Sequence, residues 1–170
     1  DGTIQTAASS NTVTIDSNLA TTSGVLAADE TWTGTVNITG DITVPAGITL
    51  TIAAGATINF QALNDDTAGG NDPSRTELLI NGSLIAEGTA LEPIIITSNA
   101  STPAAGDWGG IYQTGNGQLT LRHATIEYTT LGVDYRVDGA FTVSPTIENS
   151  TIPPRAGRGL SLLRHSTDEG

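Results

Sequence analysis

A chain of 170 residues with a formal net charge of -12 and 37% hydrophobic residues has the length of one domain and enough apolar content for a single core. All six cations are arginine, so lysine Schiff-base chemistry is excluded, and so acidic a surface offers no basic groove to a nucleic acid. Cysteine is absent, which removes disulfides, thiolate metal sites and cysteine nucleophiles, and no apolar run approaches the ~18 residues of a membrane helix, so membrane insertion is not expected.

Aromatic residues make up only 4%, so the core must be built from Ile, Leu, Val and Ala. In chain order, Val13-Thr14-Ile15 and Val25-Leu26-Ala27-Ala28 come first, and residues 1–31 are expected to form an N-terminal extension that caps the fold. Apolar residues then alternate with Thr at Ile42-Thr43-Val44 and Ile48-Thr49-Leu50-Thr51-Ile52, the period-two pattern of half-buried strands. Strands are also predicted over 57–60, 78–80, 84–86, 94–97, 119–121, 124–128 and 160–163. Turn signals stand between them: Pro45-Ala46-Gly47, Ala53-Ala54-Gly55, Asn81-Gly82 and Glu87-Gly88. No segment shows helical periodicity.

A sandwich of hairpins and a solenoid both fit short strands with frequent corners. The repeat favours the solenoid: Thr125-Ile126-Glu127 followed by Gly132-Val133-Asp134-Tyr135 overlays Thr151-Ile152 followed by Gly159-Leu160-Ser161-Leu162, an offset of about 26 residues or one coil. The fold class is therefore all-β, a right-handed single-stranded parallel β-helix of about five to six coils spanning 32–164, with a tail at 165–170.

Specific residues also carry a resemblance. Trp32-Thr33-Gly34 and the run from Gly40 to Phe60, then Leu84 to Thr89, Pro93 to Ser98 and Trp108-Gly109-Gly110-Ile111, resemble in order the coils of microbial secreted and cell-surface right-handed parallel β-helix proteins with the pectate-lyase-like fold. The resemblance spans roughly Trp32 to Leu162 and implies architecture and an extracellular or cell-surface location. It does not select an activity, because lyases, hydrolases, adhesins and surface repeats share this winding.

Several residues are candidates for contact with a ligand. Trp108 would stack on a sugar ring if its indole lies on a flank, or pack as a corner filler beside Gly109 and Gly110. Asp134 and Arg136, two apart, would share one strand face with Asp138 and are the nearest approach to a catalytic cluster, although a surface ion pair explains them as well. The loop from Asn64 to Pro73 carries Asp65, Asp66, Asn71 and Asp72, hard oxygen ligands of the kind calcium takes, in a composition that any solvated loop also has. No cofactor is required by any other feature. Sequons at Asn37, Asn81, Asn99 and Asn149 permit N-glycosylation, Asn149 also fitting a stacked polar row at a turn.

Polysaccharide lyases of this fold need a basic residue beside a cation, and hydrolases need paired acids. With no lysine, and with His123 and His165 lacking partners in the sequence, no residue is assigned a catalytic role. The expectation is a non-catalytic extracellular module with a surface, adhesive or self-assembling role, its partners being copies of itself at the open solenoid ends or a glycan. A carbohydrate-binding or polysaccharide-degrading protein is the alternative.

Overall fold

The computed structural model describes residues 20–138, 144–152 and 160–165, the last segment and residues 137 and 138 by backbone only. Fifteen strands follow in order: β1 (Gly24–Val25), β2 (Glu30–Trp32), β3 (Thr35–Ile38), β4 (Ile42–Val44), β5 (Thr49–Ile52), β6 (Thr57–Phe60), β7 (Glu77–Ile80), β8 (Ser83–Glu87), β9 (Ile94–Ser98), β10 (Gly110–Gln113), β11 (Leu119–Arg122), β12 (Ala124–Ile126), β13 (Val133–Asp138), β14 (Thr146–Glu148) and β15 (Leu160–His165). From β1 to β14 every third strand returns to the same sheet, and β15 rejoins the first. The first sheet has the order β1-β4-β7-β10-β13-β15, the second β14-β11-β8-β5-β2 and the third β12-β9-β6-β3. All pairings are parallel, so the chain winds as a parallel β-helix.

Strand alternation decides what fills the interior. In β5 Leu50 and Ile52 point in while Thr49 and Thr51 are half-buried outside, and β6 repeats this with Ile58 and Phe60. Register then stacks like on like: Leu50 lies on Leu84 and Ile58 on Ile96. The result is a continuous aliphatic column, joined by Trp32, Phe60, Trp108 and Tyr135 as its large aromatic members.

The repeat read from the sequence is the register of the structure. Thr125 bridges Thr151, and Val133, Asp134 and Tyr135 pair with Leu160, Ser161 and Leu162. β1 pairs with β4 and β2 with β5, so part of the segment expected as a cap, Gly24–Val25 and Glu30–Thr31, lies in the ladder of the opening coil. The Val13–Ile15 part of the expected cap lies outside the described residues.

Corners differ sharply in length. Between the second and third sheets the chain turns on one to six residues, using positive-φ positions at Gly34, Gly55, His123 and Asn149. Between the third and first sheets, the turns at 61–76 and 99–109 are long, and they bond to each other through Leu63 N and the Asp107 carbonyl.

Candidate functional site

Outward positions of the first sheet form a row across the coils: Thr43 pairs with Leu79, Leu79 with Tyr112, and Tyr112 with Asp134. Glu77 stands two residues before Leu79 on the same face, and Asp41 two before Thr43. On an uncovered sheet these acids would be wet. Here the 61–76 loop returns over Asp41 and Glu77, which are 4% and 0% exposed, and Asp134, beside Arg136, is 1% exposed.

The loop is held by its own polar groups. Asp65 accepts from the amides of Thr67, Gly69 and Asp41 at 2.9–3.0 Å and from the Thr67 hydroxyl at 2.7 Å. Despite burial, these bonds hold its carboxyl below the usual range. The Asn71 amide and side-chain nitrogen donate to Glu77 Oε2 at 2.6 and 3.1 Å. The Glu77 amide donates to Asp41 Oδ1 at 2.7 Å. Gly70 lies between the two carboxyls so closely that a methyl group there would run into both Glu77 Oε2 and Asp41 Oδ2. No side chain fits at that point.

Burial raises both carboxyls, Asp41 to about 6, with the charges of Asp65 and Glu77 adding to the effect on Asp41. The Tyr112 phenol, half-buried beside Glu77 and Asp134, is pushed up to about 12, mainly by desolvation. Next to the loop, Thr43, Leu79, Tyr112, Asn81 and Thr114 line an open groove of about 310 Å³ with Gly70 and Asn71 as its loop wall.

The structure also places the other candidates. Trp108 is not a platform on the flank: it is fully buried, stacked on Phe60 with centroids 4.1 Å apart and planes at 6°, and its Nε1 donates to the Glu127 carbonyl at 2.7 Å. It packs, as its glycine neighbours allowed. Asp65, Asp66, Asn71 and Asp72 do not converge on a point. Asp66 accepts from Asn64, Asp72 accepts from Ser74 and Arg75, and Asn71 donates to Glu77, so their oxygens organise the loop itself. Among the described residues no group of three or more acidic or histidine side chains is placed to hold a metal ion.

Asp134 and Arg136 do meet, Nη2 lying 2.5 Å from Oδ2, with Asp134 buried and Arg136 exposed. The Asp138 side chain lies outside the described residues, as does that of His165. Each sequon asparagine is exposed, and each interacts with another coil: Asn37 accepts from Asn59, Asn81 from Thr114, Asn99 from the Ala62 amide, and Asn149 lies 3.5 Å from His123 Nε2. His123 and Asn149 occupy successive corners with φ of 44° and 51°.

Sequence reasoning missed Asp41, Glu77, Tyr112 and Gln113. Asp41 and Glu77 occupy outward strand parity, which reads as solvated, and only the returning loop buries them. Gln113 faces inward where an apolar residue is expected, and it donates to the carbonyls of Gly82 and Gly115 at 3.0 Å, tying two corners together. Its polarity within a buried run was the available signal.

Comparison with curated proteins and with solved structures returns no match. The family model described as a pectate-lyase-like beta helix domain matches residues 20–135, which begin just before the opening coil and end in β13. With stacked parallel sheets and that match over more than half of its length, the chain belongs to the pectate-lyase-like β-helix domain family.

Proposed function

We propose that this chain is a non-catalytic β-helix module of an extracellular surface, with an adhesive or self-assembling role. The observation that carries this reading is the state of its acids. Asp41, Glu77 and Asp134, the carboxyls closest to a pair suited to glycoside chemistry, are at most 4% exposed and lie beneath a loop or against Arg136. A substrate sugar has no route to them in this closed arrangement, and acid–base catalysis requires hydrogen-bond reach of the reacting atom. Outside, the second and third sheets display Thr31, Thr51, Thr35 and Thr57 and the Asn37–Asn59 pair. Such a surface suits contact and hydration. Exposed sequons are compatible with an extracellular location, and association through the solenoid ends belongs to the same reading.

Carbohydrate binding is the second reading, favoured by the groove beside Tyr112. An aromatic ring with Asn71, Asn81 and Thr114 around it offers a stacking face and amide donors of the kind sugars use. The test combines incubation with acidic polysaccharides and light scattering over a concentration series. No unsaturated or reducing products and a rising apparent mass are expected. Product release that disappears in Arg136→Ala would replace the structural reading with an enzymatic one.

A further inference from the structure

Among the described residues three of the buried acids are matched by a partner. Asp134 meets Arg136, Asp65 accepts four hydrogen bonds, and Asp107 accepts from the Ser98 hydroxyl and the Ala104 amide. Asp41 and Glu77 differ. Among the described residues neither forms an ion pair, whereas Asp134, whose oxygens like Asp41 Oδ2 and Glu77 Oε1 are buried without a hydrogen bond, has Arg136 beside it. Two adjacent anions taken out of water in such a place are strongly unfavourable, so the pair must take up positive charge.

A metal ion is poorly served there. Calcium takes six to eight oxygens, whereas this pair leaves two oxygens unengaged and no third acid converges on them. A proton needs one acceptor. We infer that Asp41 and Glu77 together hold a single proton, and that this proton latches the 61–76 loop onto the flank of the first sheet. Its place is on Asp41, because Glu77 Oε2 already accepts two N–H bonds from Asn71 that favour the ionised form, while Asp41 Oδ2 faces no donor. Glu77 Oε2 is the carboxylate oxygen that flanks Gly70 together with Asp41 Oδ2.

The other titratable or charged groups around the pair are Asp65 and Asp72 from the loop, Tyr112 from β10, and Asp134 with Arg136 from β13. All but Arg136 are acidic, and Arg136 is engaged by Asp134, so the surroundings favour proton uptake. The raised Asp41 and Glu77 carboxyls contribute stability that is fully present below their unfolded values near 4 and is lost as pH rises through the folded value, about 6 for Asp41. Asp65, held low, acts in the opposite sense and only at more acid pH. The loop is therefore closed most firmly in mild acid. At alkaline pH two charges face each other under Gly70 and Asn71, which form the loop wall of the groove, and that wall lifts.

Hydrogen exchange of the amides in residues 67–71, corrected for intrinsic rates, tests this at pH 5.5 and 8.5. Protection in the wild-type chain should fall at least about tenfold at the higher pH, and Asp41→Asn, which fixes the pair at the single charge of its protonated state, should show protection that does not change with pH. Wild-type protection that is flat or greater at pH 8.5 overturns the latch. Restoration by millimolar calcium at pH 8.5 also overturns it, by assigning the pair to a cation. Carboxyl NMR titration of the wild-type chain gives an answer independent of the variant: one member of the pair should titrate well above the other carboxylates, and two groups both ionised by pH 5 would refute the shared proton.

Discussion

The corner between the second and third sheets and the corner between the third and first sheets solve the same geometric problem in opposite ways. At the first, Gly34, Gly55, His123 and Asn149 turn the chain through a left-handed position, and coil stacks on coil with backbone bonds such as His123 N to Glu148 O at 3.1 Å. At the second, the 61–76 and 99–109 excursions leave the ladder and bond to each other through Leu63 N to Asp107 O at 2.8 Å, and the first of them covers Asp41 and Glu77, which strand parity had placed outside. A tight corner repeats and stays inert. A long corner adds a second layer, and with it the buried polar chemistry and the groove.

The largest expected effect falls on the long corner. Trp108→Ala removes the stack on Phe60 and the bond to the Glu127 carbonyl and leaves a cavity, so unfolding free energy in urea should fall by about 3–5 kcal/mol. Loss below about 1 kcal/mol would show that the long corner is not anchored by this ring. Next comes His123→Gly at the tight corner. A φ of 44° disfavours a residue with a Cβ, so glycine should raise stability by up to about 1 kcal/mol, and a clear loss would mean that the contact with Asn149 outweighs the strain. Smallest is Arg122→Ala, where the arginine bridges Glu87 and Glu148 on neighbouring coils at 3.1 and 3.2 Å. All three side chains are well exposed, so the change should be no more than about 0.5–1 kcal/mol and should shrink in high salt.

How legible each region was follows the same division. Ile48 to Ile52 announced a strand by alternation, Gly47 and Gly55 announced corners and carry φ of 82° and 75°, and the Thr125–Thr151 offset is a bridge in the structure. Trp108 was legible as large and glycine-flanked, but whether it faced a ligand or Phe60 depended on a partner 48 positions earlier in the chain. Asp65 and Asp72 had the composition of a metal loop, and the loop's own amides claimed their oxygens. Glu77 gave no sign, since an acid at outward parity looks solvated until another segment covers it.

By itself the sequence determined the winding: period-two alternation, corner residues and a coil-length repeat are local or nearest-coil properties, and parallel stacking follows once aliphatic rows must lie on one another. Tertiary structure alone decided which outward residues stayed wet. Burial of Asp41, Glu77 and Asp134 depends on where residues distant along the chain come to rest, and the dielectric around a carboxyl is set by that covering and not by its neighbours in sequence.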